Sequence, residues 1–140
     1  MKISSYGRRT MERLRQHPED RLAAPVQVMD LAAAAAKLRG EPHAPVSGHR
    51  QIVLMRHGPV TVILLVFDAG GLLKEHQADG VLTIQVLSGR LQIVVDEVAH
   101  EMASGALMEL APGLPHSVLA LAPSELLLTV HRLPTEEDAP

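Results

Sequence analysis

A chain of 140 residues with 46% hydrophobic content has room for one domain with a packed core. It carries one Tyr, one Phe, no Trp and no Cys, which excludes aromatic stacking platforms, disulfides, thiolate metal sites and thiol nucleophiles. The formal net charge of −3 is unevenly placed: residues 1–21 hold Lys2, Arg8, Arg9, Arg13, Arg15 and Arg21 against Glu12, Glu19 and Asp20, and the chain ends in Glu136-Glu137-Asp138.

In chain order, Thr10 to His17 has the outline of a short helix stopped by Pro18, too polar to stand alone. Asp30 to Gly40 is a clearer helix. Asp30 suits the N-cap, the alanine run has the highest helix propensity, Lys37 and Arg39 suit the last turn, and Gly40 closes it. Its alanines leave little to bury, so it is expected to lie on a larger body. Pro42, Pro45 and Gly48 mark a linker.

From Gln51 the pattern becomes β. Strands are expected at Gln51–Met55 and Val60–Phe67, on either side of Arg56-His57-Gly58-Pro59. Val81–Leu87 and Arg90–Val95 follow, divided by Ser88-Gly89, with Asp96-Glu97 as the next turn. Further strands fit Ala99–Met102, Ala106–Leu110, Ser117–Leu121 and Glu125–Val130. Many short strands at near-regular spacing predict an all-β sandwich or small barrel. The expected organisation is an N-terminal arm over 1–48 with its helix near 30–39, a barrel over 49–133, and an acidic tail over 134–140.

Two histidines sit in matching strand-and-turn frames. One closes Gly70-Gly71-Leu72-Leu73-Lys74-Glu75-His76, and the other closes Gly105-Ala106-Leu107-Met108-Glu109-Leu110-Ala111-Pro112-Gly113-Leu114-Pro115-His116. Together with Gly89 behind Val86-Leu87-Ser88, this spacing resembles the two motifs of the cupin barrel, above all small single-domain bacterial cupins, over about His49 to His131. The resemblance implies an all-β cupin-type jelly roll that pairs into a homodimer. It also implies a metal site shared between the motifs, with His76 and His116 as its ligands. The chain departs from the pattern at four positions: Ala78 stands for the second histidine, Leu82 for the glutamate, Ala111 for the proline and Ala120 for the asparagine.

Leu82 carries Ile84 and Val86 onto the same face, so that wall of the barrel is expected to be apolar. Two imidazoles fall short of the roughly three protein ligands that a catalytic metal needs. A third is sought at His49, His57, Gln85 or His131. Three outcomes stay open for His76 and His116: one divalent metal (Zn, Fe, Mn, Ni or Cu), a metal-free pocket in which they orient a small ligand beside Leu82 and Ile84, or a residual polar pair. Glu75 and Glu109 are expected to face outward, and Ser117 next to His116 makes no nucleophile–base geometry.

The functional expectation is a small-molecule-binding or sensing protein; the alternative is a metal-dependent enzyme of the dioxygenase or isomerase type. Absence of cysteine and of an apolar leader after Met1-Lys2-Ile3-Ser4 points to the cytoplasm. Val60–Phe67 is too short to span a bilayer, so no membrane is expected. A basic arm over 1–26 that touches nucleic acid is a lesser reading, because polar termini are generally solvated.

Overall fold

The computed structural model describes residues 22–134. The expected helix Thr10–His17 and most of the basic arm lie outside the described residues, as does the acidic end.

Helix α1 spans Leu31–Arg39. The Asp30 carboxylate accepts from the Ala33 amide at 3.0 Å, and the Gly40 amide reaches back to the Ala36 carbonyl, so both ends are satisfied as the cap residues predict. Among the described residues nine strands follow: β1 His49–His57, β2 Val60–Phe67, β3 Leu72–His76, β4 Gly80–Ser88, β5 Arg90–Val95, β6 Val98–Ala103, β7 Leu107–Leu110, β8 His116–Ala120 and β9 Ser124–Arg132. All pairings are antiparallel and form two sheets, ordered β1-β2-β9-β4-β7 and β3-β8-β5-β6. The fold is a small all-β, two-sheet barrel.

Alternation builds the core. Leu82, Ile84 and Val86 on β4 point inward with Leu91, Ile93 and Val95 on β5, Val118 and Ala120 on β8, and Leu126 and Leu128 on β9. A second, smaller cluster lies on the outer face of the five-stranded sheet, where Ala35 and Leu38 of α1 bury against Leu64 and Val66 of β2. β2 is therefore apolar on both faces, which explains its unbroken run of eight apolar or β-branched residues. Arg39 locks the helix down: its guanidinium donates to the Ser124 carbonyl at 3.0 Å and lies 3.7 Å from the Glu125 carboxylate. Arg50 donates to the carbonyls of Arg39, Glu41 and His43 and so holds the segment behind the helix.

Two turns follow from local chemistry. Asp96 and Glu97 both have positive φ, 51° and 68°, which gives the turn twist that an antiparallel β5–β6 hairpin needs. Gly89 has φ 89°, and a Cβ there would overlap the Pro123 carbonyl and the Ser124 hydroxyl.

One strand escapes the alternation reading. In β3 only Leu73 is even half-buried, and the rest of Leu72–His76 is exposed. It is an edge strand paired to β8 alone, and it needs no apolar period to hold its place. β1 also runs further than expected, to His57, so its connection to β2 is the tight Gly58-Pro59 turn. Of the apolar stretch Gln51–Phe67, β1 is a sheet edge while β2 is interior.

Candidate functional site

β3 and β8 bring the two motif histidines together. His76 and His116 are direct partners across the β3–β8 pair, so their side chains emerge on one face. The rings lie 4.2 Å apart between centroids, inclined at 58°. The two residues differ sharply in exposure: His116 is 2% exposed, whereas His76 stands at the surface. Pro115 and the turn at Gly113, with φ 82°, bring the chain into β8 at this point.

Each ring is held by its own chain. His116 Nδ1 lies 3.1 Å from the Leu114 carbonyl and His76 Nδ1 2.9 Å from the Lys74 carbonyl. A carbonyl only accepts, so in each neutral ring Nδ1 carries the proton and Nε2 is left with a bare lone pair. His116 Nε2 is fully buried and has no hydrogen-bond partner. Burial lowers the pKa of His116, the bond to Leu114 partly offsets this, and the neighbouring His76 lowers it further. His116 is therefore neutral at pH 7 and presents a buried acceptor that nothing in the chain satisfies.

Beside the pair lies an open cleft of about 490 Å³. β1, β2 and β9 of the five-stranded sheet and β3 of the four-stranded sheet border it. Ile63, Leu65, Leu73 and Leu128 make its apolar surface, while His49, Gln51, Lys74, Glu75 and His76 supply polar groups. His49 is ordered by stacking on Phe67, with centroids 5.3 Å apart, and by a 3.1 Å contact from Nδ1 to the Leu72 carbonyl.

The sought third ligand does not join the pair. His57, Gln85 and His131 are exposed, and Gln85 lies on the face of β4 opposite Leu82 and Ile84. His49 shares the cleft with His76 but is committed to Phe67 and Leu72. Among the described residues no three His, Asp or Glu side chains converge as a metal site. The Nδ1–carbonyl bonds are of the kind that orient metal-binding histidines, yet two donors do not make the set that a resident catalytic metal needs. The donor set thus does not fit a tightly held, resident catalytic metal.

Leu82 and Ile84 are 2% and 0% exposed within the core, and neither lines the cleft. Glu75 and Glu109 are exposed. Ile63, Leu65, Gln51 and Leu128 were not legible as site residues, because their exposure to the cleft depends on how far the opposite sheet extends. The pairing of β1 with β2 and of β2 with β9 would have pointed to them, had the strand order been readable.

No protein-family model and no curated protein matches the chain. Solved structures do match. A protein of unknown function from Streptococcus pyogenes is 20% identical, with a TM-score of 0.64 over 78% of this chain and 90% of that one. A cupin superfamily protein from Desulfitobacterium hafniense is 15% identical, with a TM-score of 0.60 over 65% of this chain and 84% of that one. Salicylate 1,2-dioxygenase from Pseudoaminobacter salicylatoxidans, solved with gentisate, is 16% identical, with a TM-score of 0.61 over 72% of this chain but only 30% of the enzyme. Sheet order, motif frames and these neighbours agree: this chain has the cupin fold.

Proposed function

We propose that this chain is a small-molecule-binding or sensing protein that takes its ligand in the cleft beside His76 and His116, without strong catalytic activity. The observation that carries this reading is the apolar cleft that His76 lines, with the His116 ring in contact behind it. A ligand donor that meets the His76 ring adds about 0.5–1.5 kcal/mol to the affinity. The apolar surface of the cleft adds non-directional affinity, and its volume of about 490 Å³ falls in the usual range for small-molecule sites, about 300–1,000 Å³. Lack of cysteine supports a reducing, cytoplasmic setting. A homodimer that covers the β1 or β3 edge completes the proposal.

The test is a fragment screen followed by amide and imidazole NMR on the wild type, His76→Ala and His116→Ala. Hits that move the His76 and His116 signals, and that weaken about tenfold in either variant, support the reading. A screen in which no compound moves either ring overturns it.

A second reading is a weak, exchangeable divalent metal held by His76 and His116, with a metal-dependent enzyme of the dioxygenase or isomerase type as its extension. It rests on the two Nδ1–carbonyl bonds that aim bare Nε2 atoms outward from the backbone. Elemental analysis after incubation with zinc, iron, manganese, nickel and copper salts decides it. Metal lost in both alanine variants supports the site, and metal-free protein throughout rejects it.

A further inference from the structure

The cleft and the tautomers together narrow the ligand class. We infer that the cleft binds an aliphatic chain ending in a neutral hydrogen-bond donor, an alkyl alcohol rather than a carboxylate. This rests on the proposed binding role of the same cleft and adds to it the chemistry of the ligand.

Two observations converge. Val46, Ile63, Leu72 and Leu73 give the cleft branched aliphatic surface, against which a flexible alkyl chain loses contact with water. At the His76 end, each imidazole has its Nδ1 proton committed to a backbone carbonyl. The pair therefore offers bare lone pairs. A carboxylate brings only further lone pairs and is repelled, whereas a hydroxyl proton is what such an acceptor lacks. Lys74 does not reverse this preference, because it is exposed and solvated, with Glu75 beside it on the same strand.

The rings lie in contact at 4.2 Å, and only His76 lines the cleft. His76 is therefore the ring that meets the hydroxyl first.

The experiment titrates full-length protein at pH 8 with octan-1-ol, sodium octanoate and octylammonium chloride. The readouts are calorimetry and the imidazole ¹⁵N shift of His76 and His116. Gln51→Trp provides the blocking variant: Gln51 is exposed at the cleft, so a bulky side chain there fills the space without entering the core. Octan-1-ol is expected to bind, to move the His76 Nε2 signal, and to bind about tenfold more tightly than octanoate. Gln51→Trp is expected to weaken it by about tenfold or more.

Octanoate binding as tightly as octan-1-ol overturns the donor argument, and octylammonium binding as tightly overturns the neutral character of the donor; either leaves the small-molecule role of the cleft standing. Octan-1-ol affinity unchanged in Gln51→Trp places the alcohol elsewhere and overturns the inference. No binding of any of the three probes overturns the aliphatic class; the fragment screen then tells separately whether the cleft binds another chemistry.

Discussion

At the residue scale, His116 is the most instructive side chain. It is a polar group in an apolar wall, tied by Nδ1 to Leu114 and unmatched at Nε2. Replacing such a group with an apolar one of similar size removes an uncompensated cost. His116→Leu is expected to leave stability unchanged or to raise it by about 1 kcal/mol at pH 7.5 in urea denaturation. The sign of the pH dependence follows from the lowered pKa. The unfolded state, with an ordinary histidine near 6.5, takes up a proton on acidification that folded His116 refuses. Its contribution to stability is thus complete above the unfolded value and is lost as pH falls through it toward the lower folded value. Between pH 7.5 and pH 5 the wild type is expected to lose more stability than His116→Leu. Equal slopes in paired urea titrations would show that His116 titrates normally, as an exposed ring does.

At the element scale, α1 shows how a weakly amphipathic helix is held. It buries only Ala35 and Leu38, too little for a nine-residue helix to stand alone. Its position depends on those two contacts and on Arg39, which bridges to Ser124 and Glu125 at the start of β9. Leu38→Ala is expected to cost about 2–4 kcal/mol, near the usual range for a buried leucine. Arg39→Ala removes a carbonyl bond and a partly solvated ion pair and is expected to cost less, about 1–2 kcal/mol. Chemical denaturation with circular dichroism ranks the two. If Leu38→Ala were neutral, the helix would be an appendage and not a part of the folded unit. The same element was legible in the sequence, because caps and propensity are local. β3 was not, because an exposed edge strand obeys no apolar period and is defined by its partner β8.

At the scale of the whole molecule, the strand order decides which residues border the cleft. β1, β2 and Leu128 of β9 in one sheet meet β3 of the other there. The same order leaves β1 as the edge of one sheet, with Ile52 44% exposed, and β3 as an edge of the other. Edge strands of this kind invite pairing. The proposed dimer is expected to sediment at twice the 15.1 kDa chain mass, and Ile52→Lys is expected to shift it toward monomer. A wild type that stays at 15.1 kDa over the accessible concentration range rejects pairing.

The barrel class, the helix with its caps, most strands and the two motif histidines were determined by the sequence alone. They rest on periodicity, turn chemistry and fixed spacing, which act over a few residues. Only the tertiary structure decided the rest: that His116 is buried while His76 is open, that His49 is spent on Phe67, that Leu82 and Ile84 belong to the core, and that Ile63, Leu65 and Leu128 border a cleft. Those outcomes depend on which strands become neighbours and how far each sheet extends. These are long-range pairings that side-chain alternation along one strand does not encode.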